Sequence, residues 1–545
     1  MKRLQLNFWT PVTLAIAALI ATPILFVLSS VFTDSGEVWR HLVETVLGRY
    51  ILNSLWLMLG VGFGVTVVGV TAAWLVTMCR FWGKRFWEVV LLLPLAAPAY
   101  LLAYVYTDLL DYYGWVQRTL RDIFGWSSAQ DYWFPAVRSL PGAIIMLVLV
   151  LYPYVYLLAR VSFLEQSATT VEASRTLGCT PWQSFWAIAL PLARPAVTAG
   201  LALALMETLN DFGTVQFFGV ETFTTGIYRT WFGLGEPQAA AQLAATLMIF
   251  IAALLLLEKW SRQQAKYYQT SNNYSAPNLY QLPRWRSLLA NLFCFIPVFF
   301  GFILPIGVLL EMAFNRPQSR FKLQFGEFAQ HSFVLATLTA FLAVAIAIIL
   351  AYGQRLNQSL VIRFGIRVAA LGYAIPGSVI AVGILIPIGK LDNAIANFFK
   401  AQFDISTGLL LSGTVVALIF AYLVRFLAVS FGAVETSLGK IKPTLDDASR
   451  SLGYSPIKTL IQVHTPLMWS GLLTAAMLVF VDVMKELPAT LVIRPFNFDT
   501  LAVKVYQYAS DERLVEASVP ALAILGVGLI PVIFLSWQIS HSRTE

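Results

Sequence analysis

The sequence predicts an all-α, polytopic membrane protein, about 12 transmembrane helices in two parallel halves of six. Three observations predict it. Of 545 residues, 58% are hydrophobic and 12% are charged, with a mean hydropathy of +0.71; soluble domains carry roughly 25% charge. Twelve stretches are apolar and long enough to cross a bilayer, which takes about 20 residues of helix. They lie near 12–32, 51–78, 87–110, 140–162, 196–219, 238–257, 288–310, 332–352, 366–389, 408–430, 470–493 and 517–538. Finally, the polar stretch VEASRTLGCTPWQSFWAIALP at 171–191 returns as DDASRSLGYSPIKTLIQVHTP at 446–466, an offset of 275 residues. A fixed internal period of this length marks a duplicated unit.

Composition also excludes. Cys79, Cys179 and Cys294 are far apart, with no Cys-x-x-Cys pair, and His41, His331, His464 and His541 are scattered. Neither a disulfide framework nor a zinc or other metal site is expected. The net charge of +8 is read by its distribution along a membrane chain, and no nucleic-acid partner is inferred from it. The basic start MKRLQLNFW precedes an apolar run too long for a signal-peptide core, so a retained first span is expected.

Twelve spans return both termini to one side. With the N-terminus inside, the inner loops and span ends hold 21 Lys and Arg against 14 outside, so both termini are expected to be cytoplasmic. Both copies of the polar stretch then face the cytoplasm. The longest hydrophilic break, 258–287, is polar and basic and lacks helical periodicity; it reads as a cytoplasmic linker. The expected organisation is a first half 1–257 with its polar stretch within 164–195, the linker, and a second half 288–545 with its polar stretch within 435–469. Six spans per half give parallel repeats. Asn53-Ser54 with His331-Ser332, and Pro98 with Pro376, match at an offset of 278.

Within each copy, a helix-stopping glycine, Gly178 or Gly453, precedes Pro181 or Pro456, which suits the first turn of a new helix. Two short helices with a fixed bend result. A single copy would be an ordinary structured loop; two at matched positions fit a two-fold partner.

The first copy, Glu172-Ala173-Ser174, Gly178, then Ile188-x-Leu190-Pro191, resembles the cytoplasmic signature of binding-protein-dependent ABC importer permeases. The resemblance implies the type I importer permease fold, with one permease domain per half. It also implies that Glu172, Ala173, Ser174, Gly178 and Pro191, with Asp447, Ala448, Ser449, Gly453 and Pro466, dock two copies of an ATPase subunit. The second copy departs from the pattern at Asp447, Val463 and Thr465. No G-x-x-x-x-G-K-S/T phosphate loop occurs in this sequence, so ATP hydrolysis is expected of that partner. The chain is read as a transport subunit rather than an enzyme, without a cofactor.

After each polar stretch comes a span interrupted by acids: Glu207 and Asp211 in one half, Asp482 and Glu486 in the other, matched at 275. Each pair is spaced i, i+4 and shares a helix face. An ionised group at a helix centre costs about 2.5–3.5 kcal/mol on insertion. Internal salt bridges are one reading, with Lys485 near Asp482 and Arg425 available. A water-accessible translocation path with a cation-favouring wall is the other, bracketed by breaks at Gly213 and Pro488. The stretches 209–244 and 484–518 are similar to ferric-iron importer permeases; related thiamine permeases share an Asn-Asp-aromatic-Gly run like the first. That resemblance implies ferric iron delivered by a periplasmic binding protein to an inner-membrane importer, with thiamine or another cation as the alternative. From a different class, an ion-coupled secondary transporter would also have twelve spans, but offers no reason for the paired polar stretches. The aromatic-rich outer loop 112–138 has room for a short amphipathic helix that could help receive the binding protein.

Overall fold

The computed structural model describes residues 9–33, 36–166, 178, 180–263, 280–315 and 321–541. Ten of their helices are long and apolar enough to cross a membrane, or up to 12 if each of two bent pairs is one crossing. The all-α polytopic class is as the sequence predicts.

Several spans differ from the expected segments, and prolines account for most differences. The expected span 87–110 is a helix Lys84–Val90, a tight turn Leu93–Ala96 and a helix Ala99–Leu110, in a chain bent by 87°. Pro94 and Pro98 lack the N–H that would carry one helix through. In the second half a short helix Leu360–Ala369 precedes Pro376, and the crossing helix Gly377–Phe403 lies further along than 366–389. Pro98 and Pro376 have the same extended backbone, each standing just before its helix. The expected span 408–430 begins later, as Val415–Gly439. The spans 196–219 and 470–493 are each broken, into Leu190–Asn210 plus Gly213–Phe217 and Trp469–Met484 plus Pro488–Ile493. Helix also runs into the expected linker, to Gln263, and resumes at Arg284. Tyr280–Gln281 pairs in parallel with Cys79–Arg80.

The chain forms two compact units. One comprises Met1–His41, Ile227–Thr246 and Ser319–Lys504; the other comprises Leu42–Gly226, Leu247–Gln318 and Val505–Glu545. Each is therefore built from both sequence halves. In the first unit, Phe321–Leu356, Val415–Gly439 and Trp469–Met484 pack on one another. The N-terminal helix Trp9–Ser29 lies against Leu360–Ala369 and Gly377–Phe403, burying Ala17, Ile20 and Val27.

The second unit repeats that three-helix core with Gly48–Met78, Leu140–Glu165 and Leu190–Asn210. Glycine permits the close approach. A Cβ on Gly69 would stand 2.9 Å from the Tyr156 amide nitrogen, and one on Gly200 would stand 2.8 Å from Val155 Cα. Small residues let helix backbones meet where lipid supplies no hydrophobic drive. Leu304–Asn315 and Leu514–His541 pack together and against Ala99–Leu110.

Candidate functional site

The second polar stretch is a pair of short helices, as its sequence predicts. Pro443–Ser451 ends in a turn at Gly453, whose φ of +78° favours glycine. Tyr454 N–H donates to Ser449 O at 3.1 Å and Gly453 N–H to Arg450 O at 3.0 Å, the paired bonds of a Schellman stop. Ser455 caps the next helix, Pro456–Thr459, and the Ser449 and Thr459 hydroxyls, 2.7 Å apart, tie the two helices together. Asp447, Ala448, Gly453 and Pro466 are exposed, whereas Ser449 is buried.

An ion network missed at the level of sequence holds this element to the helix Phe321–Leu356. Arg355 donates to Asp446 from Nε at 2.8 Å and Nη2 at 2.6 Å, and to the carbonyls of Leu438 and Ile441 at 2.7 and 2.9 Å. His464 Nε2, fully buried, lies 2.9 Å from the other Asp446 oxygen. Tyr352 donates to Pro456 O at 2.9 Å and meets the His464 ring edge-on. Arg355 reads as one of several basic residues at a span end, and no local pattern couples it to an acid 91 positions away.

In the first copy, Glu172, Ala173 and Ser174 lie outside the described residues. Gly178 has a φ of +82°, matching Gly453. Thr180 and Gln183 cap the helix Pro181–Ser184 reciprocally. Pro191 sits exposed in the first turn of Leu190–Asn210. The fastening is aromatic: Trp74 packs edge-on against Phe185 at 4.9 Å and Phe163 at 5.5 Å. At the repeat offsets, Arg355, Asp446 and His464 are replaced by Thr77, Val171 and Ala189. Both copies expose apolar side chains at the same two positions, Trp182 and Trp186 in one and Ile457 and Ile461 in the other.

The four intramembrane acids stand at two equivalent helix breaks, one in each compact unit. Asp211 accepts from Val215 N–H at 3.0 Å and Thr214 Oγ1 at 2.9 Å, capping Gly213–Phe217. Glu486 accepts from Ala489 N–H at 2.9 Å, Thr490 N–H at 3.0 Å and the Thr490 hydroxyl, capping Pro488–Ile493. The partners match at the same offset of 275 as the acids themselves.

Charge compensation divides the two breaks. Glu486, buried, takes a further bond from Arg425 Nη1 at 3.1 Å, and Lys485 pairs with Asp482 at 2.9 Å. Gly377 makes room: a Cβ there would stand 2.6 Å from Arg425 Nη1 and 2.7 Å from Glu486 Oε1. The salt bridges offered by Lys485 and Arg425 in the sequence are therefore formed. No described Lys, Arg or His forms an ion pair with Glu207 or Asp211, both half-buried.

A third matched pair supports the repeat. Asn53 donates to Glu221 O at 2.9 Å, and His331 Nδ1 lies 3.1 Å from Asp499 O. Glu221 pairs with Arg49, and Asp499 with Arg494 and Lys504. The loop expected to hold an amphipathic helix contains one, Trp115–Phe124, with Trp115, Ile123 and Phe124 exposed. Among the described residues, no three His, Cys, Asp or Glu side chains form a metal-binding group.

Residues 65–261 match the family model for the binding-protein-dependent transport system inner membrane component. The chain is 26% identical over 498 residues to the Fe(3+)-transport system permease protein FbpB 2 of Haemophilus influenzae, covering 90% of each chain. It is 22% identical over 565 residues to the ferric transport system permease protein FbpB of Actinobacillus pleuropneumoniae, covering 98% of this chain and 78% of the relative. Similarity to the molybdenum transport system permease protein ModB of Escherichia coli, 27% over 232 residues, takes in 96% of that protein but 41% of this one. Residues 65–261 thus carry a domain similar to the inner membrane component of binding-protein-dependent transport systems, in a chain of many spans and broken helices.

Proposed function

We propose that this chain is the membrane-spanning subunit of an ATP-driven importer that moves ferric iron, delivered by a periplasmic binding protein, through the inner membrane. The observation that carries the reading is similarity across 90% of both chains to a protein named as an Fe(3+)-transport system permease. The two permease halves, 1–257 and 288–545, are joined by the linker 258–287, with both termini in the cytoplasm.

Two copies of an ATPase subunit dock on the repeated stretches, through the residues from Glu172 to Pro191 and from Asp447 to Pro466. The matched exposed pairs Trp182/Trp186 and Ile457/Ile461 support this, since such apolar positions on a polar element suit a partner face. ATP binding draws the partners together, and the spans alternate between outward and inward access. Glu207, Asp211, Asp482 and Glu486 belong to the translocation path. Asp482 and Glu486 act there as a compensated pair of charges, because their cations come from the chain itself.

Uptake of labelled ferric iron by cells lacking this gene, with other iron routes removed, tests the substrate against thiamine. Loss of iron uptake with thiamine uptake intact supports the reading; the reverse assigns the chain to thiamine. Replacing Ile457 and Ile461 together by serine is expected to weaken co-purification of the ATPase without changing insertion. Unchanged co-purification would remove that face from the docking site.

A further inference from the structure

The two acid-bearing breaks share their backbone and their caps, yet only one is neutralised by the protein. Arg425 and Lys485 supply two cations for Glu486 and Asp482. Glu207 and Asp211 are half-buried and have no such partner among the described residues. Arg138, over the Phe217 ring at 5.0 Å, pairs with neither. Uncompensated carboxylates at membrane depth are expensive, and this break is two positive charges short of its counterpart.

A second observation points to the same place. Tyr104, on Ala99–Leu110, is 2% exposed, and its hydroxyl has no hydrogen-bond partner among the described residues. That helix packs on Gly213–Phe217, the helix that Asp211 caps, and the Tyr104 ring meets Phe217 at 4.6 Å. Asp211 is within electrostatic reach of the Tyr104 hydroxyl, and Glu207 of Asp211. A buried, unsatisfied hydroxyl is destabilising and calls for an explanation. Asp211 uses two hydrogen bonds of the roughly four that a carboxylate accepts. Open lone pairs therefore remain on Asp211, on Glu207 and on the phenol.

We propose that Tyr104, Glu207 and Asp211 form an oxygen-donor site that holds the cargo cation in transit, and that a hard trivalent ion, ferric iron, fills it. Carboxylate and phenol oxygens are hard donors and suit a hard cation. Binding forms an iron–phenolate bond as the O–H bond breaks and its proton leaves to water; no electron is transferred. Water or the carrier's own ligands complete the coordination. The charge that Arg425 and Lys485 bring permanently to the second break is brought to the first by the cargo. The inference rests on the importer reading above.

The test uses the assembled transporter with its ATPase and binding protein, in proteoliposomes for uptake and in detergent for spectroscopy. The probe is ferric ion supplied as its nitrilotriacetate complex. Wild type is expected to develop a phenolate-to-iron charge-transfer band in the visible range. Tyr104→Phe is expected to abolish the band, and both it and Glu207→Gln to slow uptake about tenfold or more, the range for loss of even an outer partner of a metal. Glu207→Asp should recover part of the rate. A purely structural phenol predicts otherwise: Tyr104→Phe would raise the thermal midpoint by removing an unpaired hydroxyl and leave band and uptake unchanged. That result, with wild-type iron import intact, overturns the site and leaves the importer reading standing. Absence of ATP-driven iron import in wild type overturns the importer reading and this site together.

Discussion

The two halves share the turn glycine and the helix after it in their repeated stretches, and fasten them with different chemistry. In the first, Trp74 on the helix Gly48–Met78 grips Phe185 and Phe163. In the second, Arg355 on the corresponding helix binds Asp446 and two carbonyls, with His464 on the far side of the carboxylate. The helix breaks divide in the same sense: Glu486 has Arg425, while Asp211 has hydrogen bonds alone. Turn and cap signals are shared at 275 residues, whereas charge partners are not. The backbone geometry that a polar stretch needs is thus separable from the way its charge is balanced, and the balance is where the halves differ.

The sharpest way to break this comparison is to make the same kind of change at both helix breaks. Glu486→Gln leaves Arg425 buried without its counter-charge, at a cost of about 3–5 kcal/mol. Asp211→Asn strands no cation and weakens only a cap, about 1 kcal/mol. Thermal unfolding in detergent compares them, and equal losses would mean that Arg425 does not neutralise Glu486. Between these extremes falls Arg355→Ala, which strips charge-assisted bonds from Asp446 for about 2–3 kcal/mol. It should lower transport per ATP hydrolysed, whereas Thr77→Ala, at the matched position, should leave that ratio unchanged. Next, Gly377→Ala drives a methyl group into the Arg425–Glu486 pair; overpacking of this kind costs about 1–3 kcal/mol. A wild-type midpoint for Gly377→Ala would show that the pair has room to move.

Much of this division could be read before any coordinates. Hydropathy marked the crossings, and the spacing of Gly453 and Pro456 specified the bent helix pair of the second copy, because positive φ and a missing N–H are local requirements. Lys485 was visible as a partner for Asp482 because three residues is one helical turn. What stayed hidden was contact across distance. Arg355 and Asp446 are 91 residues apart, and Trp74 and Phe185 are 111 apart, with nothing in either neighbourhood naming the other. The span ends were displaced because hydropathy averages through prolines: Pro94 and Pro98 break a stretch that scores as one helix. The compact units also cut across the sequence halves, since a helix such as Trp9–Ser29 carries no mark of the half it will pack against.

Uptake of labelled ferric iron into proteoliposomes containing this chain, the proposed pair of ATPase subunits and a ferric-iron-binding protein tests the proposed import most directly. ATP inside, with iron-loaded binding protein outside, should drive accumulation that stops when the ATPase subunits are omitted or ATP is withheld. Accumulation driven by a proton gradient without ATPase, or of thiamine but not iron, would contradict it.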